Sequence, residues 1–140
     1  MNNEKGIKII LTVLMIFLLF ETVVHLFGLP ILAHEHLYDT AYTIYAGRLI
    51  GLLSFIWAMY LYLTIKNLRN NKEFTLVVII GLFLVPVIET WINYSADLNN
   101  IIASGPYGIG ISARTALQRE SLIALALGLL LAYFYRRSKK

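Results

Sequence analysis

Apolar positions gather into four long runs, at 9–20, 49–65, 74–88 and 121–135, with polar residues between them. Extended across a single charge or charge pair each, the runs reach the roughly 20 residues needed to cross a hydrocarbon core. Backbone exposed to lipid must satisfy its own hydrogen bonds, so spanning segments of this kind are helical. The pattern predicts an all-α membrane protein: a four-transmembrane-helix bundle forming one domain over 1–140, with helices at about 8–32, 41–65, 74–97 and 113–135. The first run follows Lys5 and Lys8 in the manner of a signal peptide. Its apolar stretch continues to Leu32 and no small-residue cleavage pattern follows, so it reads as a retained helix.

Composition agrees with this class. A chain with 59% hydrophobic and 14% charged residues is too apolar for an ordinary soluble domain. The absence of cysteine excludes disulfides, thiolate metal ligands, c-type haem attachment and thiol-based redox chemistry.

Charge sets the expected orientation. Of twelve basic residues, Lys5, Lys8, Lys66, Arg69, Lys72, Arg136, Arg137, Lys139 and Lys140 all fall on one side if the chain crosses four times. The positive-inside rule then places both termini in the cytoplasm of a multi-pass cell-membrane protein, N-in and C-in. The same rule accounts for the net charge of +4 without a nucleic-acid partner. The partners implied are the lipid bilayer and, through small-residue helix faces, other membrane subunits or further copies of the chain. The short polar connection at 66–73 makes the second and third helices an antiparallel hairpin.

Each predicted helix also carries a charge within its span: Glu21 with His25, Arg48, Glu89, and Arg119 with Glu120. Counted from the inner end of each run at about 1.5 Å per residue, Glu21, Glu89 and Glu120 stand about 20–22 Å up, and His25 and Arg48 about 25–26 Å. All five thus fall in the outer third of a core about 30 Å thick. An intramembrane charge costs about 2.5–3.5 kcal/mol on insertion scales and normally faces a partner or a water-filled cavity. A layer contributed by all four helices reads as a site.

The helix faces fit that reading. Glu21 and His25 are four apart and stack on one face with Leu14, Leu18 and Gly28. Gly47, Gly51, Ser54 and Ala58 form a small-residue strip that favours close backbone approach, with Arg48 beside it. Ala116, Glu120, Ala124, Gly128 and Ala132 repeat every four residues, which carries Glu120 toward a helix–helix contact. Glu89, Asn93 and Asp97 form a polar stripe, and Pro86 is expected to bend the helix below it. Arg48 and Arg119 are charge partners for the carboxylates, since a guanidinium suits bidentate pairing. Three carboxylates against two arginines leave one carboxylate and His25 over.

That remainder points to a cation or proton site. Glu21, His25 and Glu89, with Glu120, are ligand types for a divalent metal such as zinc, iron or copper. The outer connection adds His34, His36 and Asp39 at the mouth, so all three histidines lie at or above the layer. A second outer connection, at 98–113, carries a glycine-rich turn around Pro106 and is long enough to fold over the opening. A bis-histidine haem is disfavoured because only His25 lies within a helix. The expected function is a polar Glu/His/Arg site, open to the extracytoplasmic face, that binds a metal cation or small polar ligand. Two alternatives remain open: an accessory or structural subunit of a larger membrane complex, and a proton- or cation-coupled transporter. Acid–base groups and arginines would also suit an enzyme acting on a lipid, but no nucleophile with a local base is recognisable and no reaction is assigned.

Overall fold

The computed structural model describes residues 3–29, 41–95 and 113–138, with side chains at 3–29, 44–91 and 118–138. These residues form four helices, α1 (Asn3–Phe27), α2 (Ala41–Lys66), α3 (Lys72–Ser95) and α4 (Ala113–Ser138). All four contain stretches, of 20 to 25 residues, that are long and apolar enough to cross a bilayer. The fold is all-helical as expected.

The ends of α1 differ from the expected 8–32. The helix begins at Asn3 and stops at Phe27. Gly28 follows with φ of 62°, the left-handed region where a side chain is disfavoured, and the Leu29 amide donates to the Val24 carbonyl at 2.9 Å. This is a Schellman closure, and it satisfies a carbonyl that the helix end would otherwise leave open. Between α2 and α3 the chain turns through residues 67–71. The amides of Asn70 and Asn71 both donate to the Asn67 carbonyl, and the Asn71 side chain donates to the Leu63 carbonyl at 3.3 Å. Leu68 points inward from this turn and is buried.

Packing does not follow the connections alone. α1 lies against α2 and α3 against α4, and the two pairs join through α1 and α4, whereas α2 and α3 barely touch. The order is therefore α2–α1–α4–α3. The expectation that the short connection packs α2 on α3 as a hairpin is corrected by this order: the two are joined but splayed. Close approach of small residues decides the pairing. A Cβ on Gly51 of α2 would come within 3.1 Å of His25 and of the Leu26 backbone nitrogen in α1. A Cβ on Gly128 of α4 would stand 3.2 Å from Leu82 in α3. On α2 the buried positions Gly47, Gly51, Ser54, Ala58, Leu61 and Thr64 recur every three or four residues, a single seam turned toward α1. The opposite surface of α2 exposes Leu52, Phe55, Ile56 and Met59, an apolar exterior suited to lipid.

The bundle is divided along its length. The half nearer the termini is filled by Ile7, Ile10, Leu11, Leu61, Leu68, Ile79, Leu131 and Tyr135, with Leu14, Leu18, Leu82 and Phe83 around them. Burying a side chain of this kind contributes about 1.5–3 kcal/mol relative to water, and in lipid the gain comes from close packing instead. Hydroxyls in the helices bond back to their own turn: Thr12 to Lys8, Thr22 to Leu18 and Thr64 to Tyr60, at 2.7–2.9 Å. Polar contacts close the end at which the termini meet. Asn3 donates to the Arg137 carbonyl, Lys72 to the Ser138 carbonyl, and Arg69 lies 3.8 Å from Glu4. Glu21, His25, Arg48, Glu89, Arg119 and Glu120 lie in the other half.

Candidate functional site

The site begins on α1. Four residues apart, Glu21 and His25 share a face, and His25 Nε2 stands 2.9 Å from a Glu21 carboxylate oxygen. His25 is only 3% exposed because Gly51 of α2 offers no side chain and lets the backbone ride over its Cβ. The small-residue strip therefore brings α2 onto α1 at the depth of this pair. A buried imidazole held by a carboxylate is fixed in orientation.

The second element joins α3 to α4. The Ser121 hydroxyl donates a hydrogen bond to the Glu89 carboxylate across the interface. Glu89 is thus partnered by a neutral donor rather than by an arginine. α3 continues through Pro86, three residues before it. Ser121 was not among the residues singled out from sequence, although its place beside Glu120 and at the depth of Glu89 is a usable signal.

Glu120 connects the two elements. Glu21 and Glu89 both lie within Coulombic reach of its carboxylate. The helix order explains why: α4 sits between α1 and α3, so a group near its outer end faces carboxylates on both neighbours. Glu120 itself is exposed, at the open edge of the contact one turn before buried Ala124. The sequence-based expectation of Glu120 inside a helix–helix contact is corrected to this edge position.

The arginines stand elsewhere. Arg48 and Arg119 are both exposed, and among the described residues neither forms an ion pair. Arg48 follows buried Gly47 by one residue, about 100° around the helix, which turns it away from the seam. The expectation that the arginines neutralise the carboxylate layer is replaced by an acidic cluster with the arginines outside it. Glu21, His25, Glu89 and Glu120 are thus brought into one region, and Arg48 and Arg119 are not.

Among the described residues, no three histidine or acidic side chains come close enough together to hold a metal ion as they stand. The expected mouth residues His34, His36 and Asp39 lie outside the described residues, as do Asp97 and the second outer connection. The Asn93 and Ala116 side chains are likewise outside them. No protein-family model matches the chain, and neither a curated protein nor a solved structure is detectably similar to it.

Proposed function

We propose that the chain is a multi-pass cell-membrane protein, with both termini in the cytoplasm, that binds a metal cation or small polar cation at an intramembrane acidic site open to the extracytoplasmic face. One observation carries the reading: the Glu21 carboxylate of α1 and the Glu89 carboxylate of α3 both lie within Coulombic reach of Glu120 on α4, while the two arginines at that depth are exposed outside the cluster. Glu89 has a serine hydroxyl as its described partner, and a hydroxyl cancels no charge. Like charges gathered in an apolar setting are stabilised by a bound cation or by protons. His25, held by Glu21, supplies a nitrogen ligand or a proton acceptor beside them. The occupant would enter past His34, His36 and Asp39, and the same groups would serve proton- or cation-coupled transport.

Elemental analysis of protein purified without a metal-affinity tag tests the metal form. Stoichiometric metal that is lost in Glu21→Gln and His25→Ala supports it; metal retained undiminished in both variants places the ion elsewhere. The topology rests on the basic residues 66, 69, 72, 136, 137, 139 and 140 lying on one side. Ser138→Cys should be labelled from the cytoplasm and Ser104→Cys from outside; the reverse refutes the orientation.

A second reading, a subunit of a larger membrane complex, takes support from a different observation. Arg48 and Arg119 project from the outside of the bundle near the depth of the acidic layer. A second chain bearing carboxylates would relieve the cost of such charges in lipid. Copurification of the chain with another in fixed ratio, weakened by Arg48→Ala or Arg119→Ala, distinguishes this reading from the first.

A further inference from the structure

The splay between α2 and α3 leaves a cleft at the end of the bundle opposite the acidic cluster, with a volume of about 530 Å³. Its lining is divided by chemistry. Tyr60, Leu63 and Phe74 form the part that extends along the helices, and Lys66, Asn67 and Asn71 form the part at the turn. The aromatic side is continuous: Trp57 lies 6.1 Å from Tyr60, and Tyr60 lies 6.1 Å from Phe74 across the cleft. Aromatic rings of this kind gather at the level of lipid headgroups. Leu63 and Phe74 are 56% and 46% exposed, so this wall faces whatever fills the cleft.

The three cations around the turn are not equivalent. Arg69 lies 3.8 Å from Glu4, and Lys72 donates to the Ser138 carbonyl. Lys66 is the cation that lines the cleft, and among the described residues it forms no ion pair. Asn71 is held by its bond to the Leu63 carbonyl, which fixes the polar floor in place. An apolar wall one to two turns deep, leading to a lysine and two amides at a helix end, matches a molecule with an acyl chain and an anionic head. Basic pockets between membrane helices recognise such lipids.

We propose that this cleft binds one anionic phospholipid, its phosphate on Lys66 with Asn67 and Asn71 and its acyl chain along Tyr60, Leu63 and Phe74. The assignment rests on the membrane-spanning reading but not on the acidic site. Charge complementarity selects the occupant: a non-ionic detergent would use the wall and leave Lys66 without a counter-charge, and a zwitterionic lipid would bring its own cation beside the lysine.

The test is native mass spectrometry of detergent-solubilised, delipidated full-length protein incubated with equal amounts of phosphatidylglycerol and phosphatidylcholine. Wild type should retain one phosphatidylglycerol per chain with a preference of about fivefold or more, the effect of a lysine near a membrane surface. Lys66→Gln should bring the preference to near unity, and Arg136→Gln, an exposed cation outside the cleft, should leave it intact. Equal preference in wild type and Lys66→Gln overturns the site. So does an equal loss in Arg136→Gln, which would reflect diffuse charge. Alkaline carbonate extraction separates the two levels of failure. A chain released from membranes refutes the spanning reading; a chain retained, without the lipid preference, refutes the lipid site alone.

Discussion

Gly51→Ala is the substitution that most directly probes how α2 is seated on α1. The added methyl would stand 3.1 Å from His25 Cβ, from Leu26 Cγ and from the Leu26 backbone nitrogen. Carbon contacts are most favourable at about 3.5–4.0 Å, so the helices must separate by roughly half an ångström. The nitrogen cannot rotate aside as a side chain can. Overpacking of this kind costs about 1–3 kcal/mol. Against it stands the helix-propensity gain of alanine over glycine, up to about 1 kcal/mol. Gly81 supplies the control: a Cβ there meets nothing within 4 Å, so Gly81→Ala keeps the propensity gain without the clash. Unfolding in a single mixed-micelle system should place Gly51→Ala below Gly81→Ala by about 1–3 kcal/mol. The difference between the two variants cancels their shared propensity term. Equal stability, or a more stable Gly51→Ala, would refute the close α1–α2 seam and the burial of His25 that depends on it.

Ser121→Ala should destabilise by about 1.5–3 kcal/mol, the usual worth of a hydrogen bond to a charged group. Most of that loss should vanish in a Glu89→Ala background, which removes the acceptor, and full additivity of the two substitutions would argue against the contact. Thr75 is fully buried, and its hydroxyl has no hydrogen-bond partner among the described residues. Thr75→Val, of similar shape, should be neutral or stabilising by about 1 kcal/mol in thermal unfolding, and a clear loss would reveal a bond to that hydroxyl. Because Arg48 and Arg119 are exposed, their alanine variants should fall within about 0.5 kcal/mol of wild type in detergent, rather than the 3–5 kcal/mol of a broken buried pair. A loss of the larger size in either variant would restore the arginines to the layer.

The helices themselves were legible because an apolar run of spanning length leaves the backbone few alternatives. The end of α1 was less so. Counting apolar residues carries the helix on to Leu32, but Gly28 followed by Pro30 is a C-terminal signal and the structure stops at Phe27. Helix pairing was misread for a physical reason. A short connection limits how far apart two helix ends can be, but it does not bury their faces. Gly47, Gly51, Ser54 and Ala58 lie on the face of α2 that meets α1, and close packing there outweighs proximity along the chain.

The candidate site was legible in part. The Glu21–His25 contact follows from helical spacing alone. Gathering Glu89 and Glu120 near it required knowing that α4 lies between α1 and α3, which no local pattern specifies. The arginines were placed in the layer by depth. Depth says nothing about azimuth, and one residue of offset from Gly47 turns Arg48 outward.

The central claim is that the acidic cluster binds a cation, and thermal unfolding of metal-stripped protein titrated with zinc or manganese tests it directly. A ligand specific to the folded state stabilises by about 2.7 kcal/mol at one hundred times its dissociation constant. The expected result is a saturable rise in unfolding temperature with at least one of the two metals, reduced in Glu21→Gln, Glu89→Gln and Glu120→Gln and unchanged in Glu73→Gln, an exposed carboxylate outside the cluster. No rise with either metal, or the same rise in all four variants, would contradict binding of a metal cation at this cluster.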